Sequence, residues 1–378
     1  MSVLEESERL HARARAFVDA FVADAAMPEP FDALAVDLAR FQERNVPGYA
    51  RLVRARGLAA DRFSSADDAP AVPTDAFKLA RVSAFPAEVT PHTFRTSGTT
   101  IGQRGAHPFR TLETYDRAAV AFGRFGLLAG LDSAARIRVA VLGPSPAEAP
   151  DSSLTHMCDR FVDAFDARHT KAARRPFFLE GDVFDLAAMD ELVADATVAG
   201  EPVLLLATSF ALVHFLDALG DDRFRLPAGS RVMQTGGFKG KSREVSAPAL
   251  SRAVSEMFGV PEASIVSEYG MTELSSQFYE ATLHGAAHGV YVEPPWARVV
   301  PVDPETLRPV DDGEIGIARI VDLMNVDSAA FVLTADRVRR VPCALAPDGR
   351  GSGFELLGRA PGAPPRGCSI AIDEMFPS

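Results

Sequence analysis

A chain of 378 residues, 47% of them hydrophobic, can bury a large core and suggests about two to three domains. Its net charge of −12 supplies no basic face, which argues against a nucleic-acid backbone as partner. No apolar run approaches the roughly 18 residues of a membrane-spanning helix, and the charged opening MSVLEESERLHARARAF has no apolar signal core, so a soluble cytoplasmic protein is expected.

Residues 1–93 read as a helical N-terminal region. Leu10, Phe17, Val18, Phe21 and Val22 share one helical face. Phe31, Leu34, Leu38 and Phe41 share another, with Met27-Pro28-Glu29-Pro30 as the break. Residues 57–93 carry Pro70, Pro73, Pro86 and Pro91 and are expected to be loop-rich. From residue 94 short apolar runs alternate with amphipathic ones. Strands are expected at 137–142, 203–207, 232–233 and 265–266, and helices at 115–128, 154–165, 184–199, 210–219 and 247–258. Such alternation predicts an α/β core with a largely parallel sheet over residues 94–285. After it the helical signal disappears. Strands at 290–292, 298–300, 315–321, 331–333, 338–341 and 354–357 predict a β subdomain over 286–357. Residues 358–368 are rich in Gly and Pro and are expected to be irregular, within a flexible tail of residues 358–378.

Two segments carry chemistry. Phe94–Gly105 packs four hydroxyl residues, three glycines and two arginines into twelve positions. Glycine lets a backbone approach a ligand, and its N–H groups can form an anion-binding concavity. Thr96, Ser97, Thr99 and Thr100 add hydroxyl donors, and Arg104 adds a charged fork. The segment fits a phosphate cradle; a polar turn or hinge fits the composition equally. The second segment, Ser267-Glu268-Tyr269-Gly270-Met271-Thr272-Glu273, follows the strand at 265–266 and lies where open α/β sheets bind ligands. Tyr269 can stack on a purine, Thr272 can bond a phosphate and Glu273 can hold Mg²⁺. Alone, the segment also fits a strand-end turn. Gly236–Ser242 is not a nucleotide P-loop, because Thr235 stands where that motif needs Gly.

Together the two segments resemble the adenylate-forming superfamily, whose loop reads Thr-Ser-Gly-Thr-Thr-Gly-x-Pro-Lys-Gly and whose later motif reads Tyr-Gly-x-Thr-Glu. Thr96, Ser97, Gly98, Thr99 and Thr100 match outright, Gly105 keeps its spacing, Arg104 replaces Lys and Gly102 is displaced by one position. Gly236-Gly237 matches the adenine-pocket glycines, Asp336 the aspartate that holds the ribose hydroxyls, and Gly358-Arg359 the hinge dipeptide. The turn Asp312–Gly316 also falls in order. The resemblance, running from about 94 to 360, implies a layered adenylate-forming fold without the mobile C-terminal domain and its lysine. It also implies ATP and Mg²⁺ as cofactors.

The chain length, the loop variant and Gly236–Lys241 resemble most closely the acyl-protein synthetase (long-chain fatty acid–protein ligase) branch of bacterial luminescence, related to phenylacetate-CoA ligases. That branch takes the acyl group from acyl-AMP onto a C-terminal cysteine, and Cys368 is the matching position. Arg366, two residues earlier, would lower the thiol pKa. The resemblance implies activation of a carboxylic acid, a fatty acid in that branch, and transfer through Cys368 to a partner such as a reductase or carrier protein. Two alternatives stay open: a ligase delivering acyl-AMP to CoA, a carrier thiol or an amine with Cys368 idle, and a non-catalytic nucleotide-binding protein. Cys158, Cys343 and Cys368 form neither a disulfide framework nor a metal-spaced cluster. His107 could face carboxylate or phosphate or be structural. Lys239 and Lys241 could supply the missing lysine's charge. His214 is expected in the core, Trp296 in packing, and Phe210, Phe238 and Phe278 suit an acyl or aryl pocket.

Overall fold

The computed structural model describes residues 1–97, 104–132, 135–166, 175–220, 224–236, 246–360 and 366–376. The N-terminal helices fall where periodicity puts them. Helix α1 (Val3–Val22) starts at a capping box in which Ser2 Oγ accepts from Glu5 N and the Glu5 carboxylate accepts from Ser2 N. Helix α2 (Phe31–Asn45) follows Pro30. Helix α3 (Pro47–Ala55) opens on a proline, whose missing N–H would have had no helical partner there. Strand β1 (Val72–Pro73) and helix α4 (Ala76–Leu79) come next, then the hairpin β2 (His92–Arg95) and β3 (Ala106–Phe109). The alternating region runs α5 (Glu113–Leu128), β4 (Arg138–Leu142), α6 (Ser153–Phe165), β5 (Leu179–Glu180), β6 (Val183–Phe184), α7 (Leu186–Ala199), β7 (Val203–Thr208), α8 (Ser209–Leu219), β8 (Arg231–Thr235), α9 (Ala247–Phe258) and β9 (Ile265–Tyr269). After β10 (Phe278–Glu280) come β11 (Val290–Val292), β12 (Ala297–Val302), β13 (Ile315–Asp322), β14 (Phe331–Pro342), β15 (Ser352–Arg359) and α10 (Arg366–Met375).

Three expectations change. The strands expected at 331–333 and 338–341 are one strand, β14, whose pairing with β15 shifts register between Asp336 and Val338. The tail is not irregular throughout, because Arg366–Met375 is helical. The Gly/Pro signal stops at Pro365, and Cys368, Ala371 and Met375 then recur at helical spacing, all buried. His214 lies on α8 but is exposed rather than in the core.

The chain divides into two compact units. The first comprises Met1–Ala121, Met271–Gln277 and Val290–Ser378. Its sheet runs β12-β13-β14-β15-β11, antiparallel throughout, with β1 parallel to β14. Trp296 is fully buried and meets Phe21 edge-on, and Tyr49 stacks on Phe331. Helix α10 packs on α3 and β1. The second unit comprises Phe122–Gly270 and Phe278–Gly289. Strands β4, β7, β8 and β9 are parallel neighbours in that order, and β10 pairs antiparallel with β9. Both faces are covered, so β7 (VLLLAT) is an unbroken apolar run instead of alternating. The carboxyl ends of β8 and β9 thereby carry Thr235-Gly236 and Glu268-Tyr269 side by side, with Thr235 opposite Glu268.

Gly126 in α5 lets that helix sit against the fully buried Tyr279, since a Cβ there would lie 2.5 Å from the ring. Gly126→Ala is expected to lower stability by about 1–3 kcal/mol, the strain outweighing alanine's helix preference. Urea unfolding would measure this, and an unchanged or raised midpoint would count against the packing assignment.

Candidate functional site

In the first unit the cradle is described at its two ends. Thr96 N donates to Gly105 O at 3.0 Å and Gly105 N donates to Thr96 Oγ1 at 2.9 Å, closing the neck of the β2–β3 hairpin. Arg104 folds onto that neck, its Nε donating to Thr96 O at 2.6 Å and a terminal nitrogen to Arg95 O at 3.3 Å. Ser97 and Arg104 are exposed. Gly98, Thr99 and Thr100 lie outside the described residues, as do Gly237, Phe238, Lys239 and Lys241.

Thr272 and Glu273 belong to the same unit and are held through their backbone. His107, two residues past Gly105, is buried, with Nδ1 2.8 Å from Thr272 O and Nε2 2.7 Å from Ser328 Oγ. Burial lowers its pKa to about 4, so the ring is neutral at pH 7. A carbonyl can only accept, so the single ring proton sits on Nδ1, and Nε2 accepts from Ser328. His107 is therefore an uncharged, buried hydrogen-bonding group between Thr272 and Ser328. A neighbouring cavity of about 10 Å³ lined by His11, His107, Ser275 and Asp327 holds one water at most. Asn325 Nδ2 donates to Glu273 O at 2.8 Å, and Asp322 accepts from Ser275 N at 2.8 Å and Ser276 N at 2.9 Å. Burial raises the Asp322 pKa, and those hydrogen bonds offset the rise only in part.

Asp336 and Arg359 are cross-strand partners on β14 and β15, with Arg359 Nε 4.0 Å from Asp336 Oδ1. Gly358 has φ +76°, a left-handed conformation that suits glycine, and it directs Arg359 outward with its side chain 63% exposed. Cys368 sits on α10 and is 5% exposed. Burial and the nearby Asp75 carboxylate push its thiol up to about 11, opposite to the lowering expected from Arg366.

In the second unit Gly236, with φ +73°, ends β8, and its carbonyl accepts from Ser209 Oγ at 2.9 Å. The Tyr269 ring packs against Phe278, centroids 5.9 Å apart, and Gly270 follows half-buried. Sequence reading gave Glu268 no role. It is buried, its carboxyl accepts from Thr235 Oγ1 across the β8–β9 pair, and burial pushes its pKa up to about 7. The signal was an acidic residue in a strand covered on both faces. A cavity of about 420 Å³ in this unit is lined by Ser145, Glu148, Asp159, Arg175, Phe177 and Glu180; among the described residues, Phe210 and Phe278 do not line it.

Among the described residues no group of three or more His, Cys, Asp or Glu side chains could enclose a metal. Mg²⁺ commonly uses one or two carboxylates plus substrate phosphates, a donor set to which Glu273 could contribute. No helix among the described residues is long and apolar enough to cross a membrane.

The fold is shared with solved acyl-CoA ligases. A 2-hydroxyisobutyryl-CoA ligase in complex with 2-HIB-AMP and CoA in its thioesterification state superposes with a TM-score of 0.59, at 14% identity, covering 95% of this chain and 69% of that one. An open conformation of the same ligase gives 0.57 at 13% identity, covering 87% and 69%. At such identities the likeness is one of fold. The chain belongs to the family described as Acyl-protein synthetase, LuxE, which it matches over residues 176–377, more than half its length. It is 25% identical over 138 residues to a long-chain-fatty-acid–luciferin-component ligase of Aliivibrio fischeri. That alignment spans 35% of each chain.

Glu268 and His107 give opposite pH signatures. The folded pKa of Glu268 is raised from 4.5 to about 7, so its contribution is complete below pH 4.5 and is lost as pH rises through 7. That of His107 is lowered from 6.5 to about 4, so its contribution is complete above 6.5 and is lost as pH falls through 4. Each spans roughly 3 kcal/mol at 1.36 kcal/mol per unit. Glu268→Gln, neutral at every pH, is expected to raise the melting temperature at pH 8 relative to wild type and not at pH 5. Thermal unfolding at both pH values checks this, and an equal shift at both would contradict a protonated Glu268.

Proposed function

We propose that this protein activates a carboxylic acid as its acyl-adenylate at the expense of ATP and passes the acyl group through Cys368 to an acceptor protein, such as a reductase or carrier protein. The observation that carries the reading is the family match over residues 176–377, which takes in Tyr269–Glu273, Asp336, Arg359 and Cys368. The luciferin-component fatty-acid ligase it resembles favours a fatty acid as substrate.

In this reading Thr96, Ser97, Gly98, Thr99, Thr100 and Arg104 bind the phosphates. Gly236, Gly237, Tyr269 and Gly270 frame the adenine, and Asp336 with Arg359 meets the ribose edge. Thr272 donates to the α-phosphate. Glu273 would hold Mg²⁺, which supplies positive charge against the phosphate oxygens. A carboxylate oxygen of the acid attacks the α-phosphorus, the bond to pyrophosphate breaks, and acyl-AMP forms. The Cys368 sulfur, after loss of its proton, attacks the acyl carbon, and AMP leaves with the electrons of the broken C–O bond. The thiolate is the attacking form, so this step is expected to accelerate as pH rises from 7 to 9, read as the rate of adduct formation.

The burial of Cys368 on a packed helix favours a second reading, in which acyl-AMP is delivered directly to CoA, a carrier thiol or an amine. Incubation with ATP and a labelled acid separates the two. The expected result is a hydroxylamine-sensitive protein adduct in wild type that disappears in Cys368→Ala while acid-dependent ATP–pyrophosphate exchange persists. An equal adduct in Cys368→Ala would overturn the Cys368 route. Absence of exchange across fatty, aryl and short-chain acids would overturn acyl activation itself and favour a nucleotide-binding protein without catalysis.

A further inference from the structure

We propose that His107 is a positioning residue that sets the direction of the Glu273 side chain by fixing the peptide plane before it. The inference rests on the reading that Thr272 and Glu273 meet the nucleotide phosphates and their metal. A peptide unit is planar, so a residue's φ and ψ are the rotations of the two planes flanking its Cα. The plane before Glu273 carries Thr272 O, which accepts from His107 Nδ1 at 2.8 Å. The plane after it carries Glu273 O, which accepts from Asn325 Nδ2 at 2.8 Å. With both oxygens held, the Cα–Cβ direction of Glu273 is set by groups that belong to neither sequence motif.

His107 is itself fixed. Ser328 holds Nε2 at 2.7 Å, Phe77 meets the ring edge-on with centroids 5.4 Å apart, and Phe109 lies at 4.1 Å. The adjoining cavity of about 10 Å³ has no room for a substrate, so the ring acts through Thr272. His107 also stands two residues after Gly105, whose N–H closes the cradle on Thr96 at 2.9 Å. The short strand β3, which carries His107, thus begins directly after the hairpin neck closed by Gly105.

Two amide variants separate positioning from simple packing. His107→Asn places its NH₂ near the former Nδ1 and keeps a donor for Thr272 O, but gives up Ser328. His107→Gln places its amide near Nε2, keeps Ser328 and leaves Thr272 O without a donor. In His107→Gln the amides of Met271–Gln277 are expected to exchange hydrogen about tenfold faster, the scale of one lost hydrogen bond, and in His107→Asn to stay near wild type. The Mg²⁺ concentration for half-maximal ATP–pyrophosphate exchange is expected to rise by a similar factor in His107→Gln alone, with KM for the acid unchanged. Wild-type behaviour of His107→Gln in both measurements, or equal damage in the two variants, would overturn the proposal. If wild type forms no adenylate with any acid, the acyl-activation reading falls, while amide exchange still decides whether the clamp exists.

Discussion

Met271–Gln277 is neither helix nor strand, yet Glu273–Gln277 is buried, so its backbone polar groups must find partners outside any ladder. Those partners are brought from distant parts of the sequence. His107 lies 165 residues away from Thr272; Asp322, at the end of β13, and Asn325, on the turn that follows it, lie about 50 residues away. That turn is secured in its own right by Gln42 on α2. Its amide nitrogen donates to Asn325 O at 2.8 Å and to Val326 O at 3.0 Å, and its oxygen accepts from Ala330 N at 3.0 Å. A path of buried hydrogen bonds therefore runs from an N-terminal helix, through one turn, to the Thr272–Glu273 backbone. Each link that loses a partner leaves an orphaned polar group costing about 1–3 kcal/mol. In this unit the helical N-terminus thus supports the backbone of Met271–Gln277.

This division of labour explains what the sequence disclosed. The α/β core was legible because β7 and its neighbours are apolar runs between amphipathic helices, and packing did not override them. The cradle segment and Tyr269–Glu273 stood out in the sequence through their resemblance to two motifs, and the roles given to them are those proposed above. The supports were not legible. His107, Asn325 and Asp322 are single polar residues with no local pattern, and their meaning comes from pairings across tens or hundreds of positions. Strand β10 escaped because three residues after an irregular segment show no alternation. The hairpin strands β2 and β3 mix His, Thr, Arg and Pro. Helix α10 escaped because the Pro/Gly run before it masked the spacing of Cys368, Ala371 and Met375.

Burial, more than ion pairing, sets the electrostatics of the groups around the motifs. His107, Glu268, Asp322 and Cys368 all have desolvation as the first cause of their shifts. Desolvation favours the neutral form whichever sign the charge would carry. At neutral pH His107 is therefore an uncharged hydrogen-bonding group, and Glu268 is partly protonated. Glu268 links Thr235, which precedes Gly236, to its own strand neighbour Tyr269. The link joins the two strand ends that the adenine reading needs, with little fixed charge added there.

Cys368 is where that logic meets the proposed chemistry. A thiol 5% exposed, with a pKa of about 11, is protected from reaction where it lies. Attack on an acyl-adenylate would require α10 to leave its place on α3. Among the described residues its polar anchors include Gly367 N to Pro304 O at 2.9 Å, Arg51 Nε to Met375 O at 2.5 Å, and the Arg56–Glu374 pair at 2.9 Å. The Arg56–Glu374 pair is partly solvated and contributes about 0–1 kcal/mol. Most of the cost of release is then apolar surface, chiefly Met375, Ala371 and Cys368 itself, of the order of a few kcal/mol. On the Cys368 route, the burial that keeps the thiol inert also makes its reaction depend on that release.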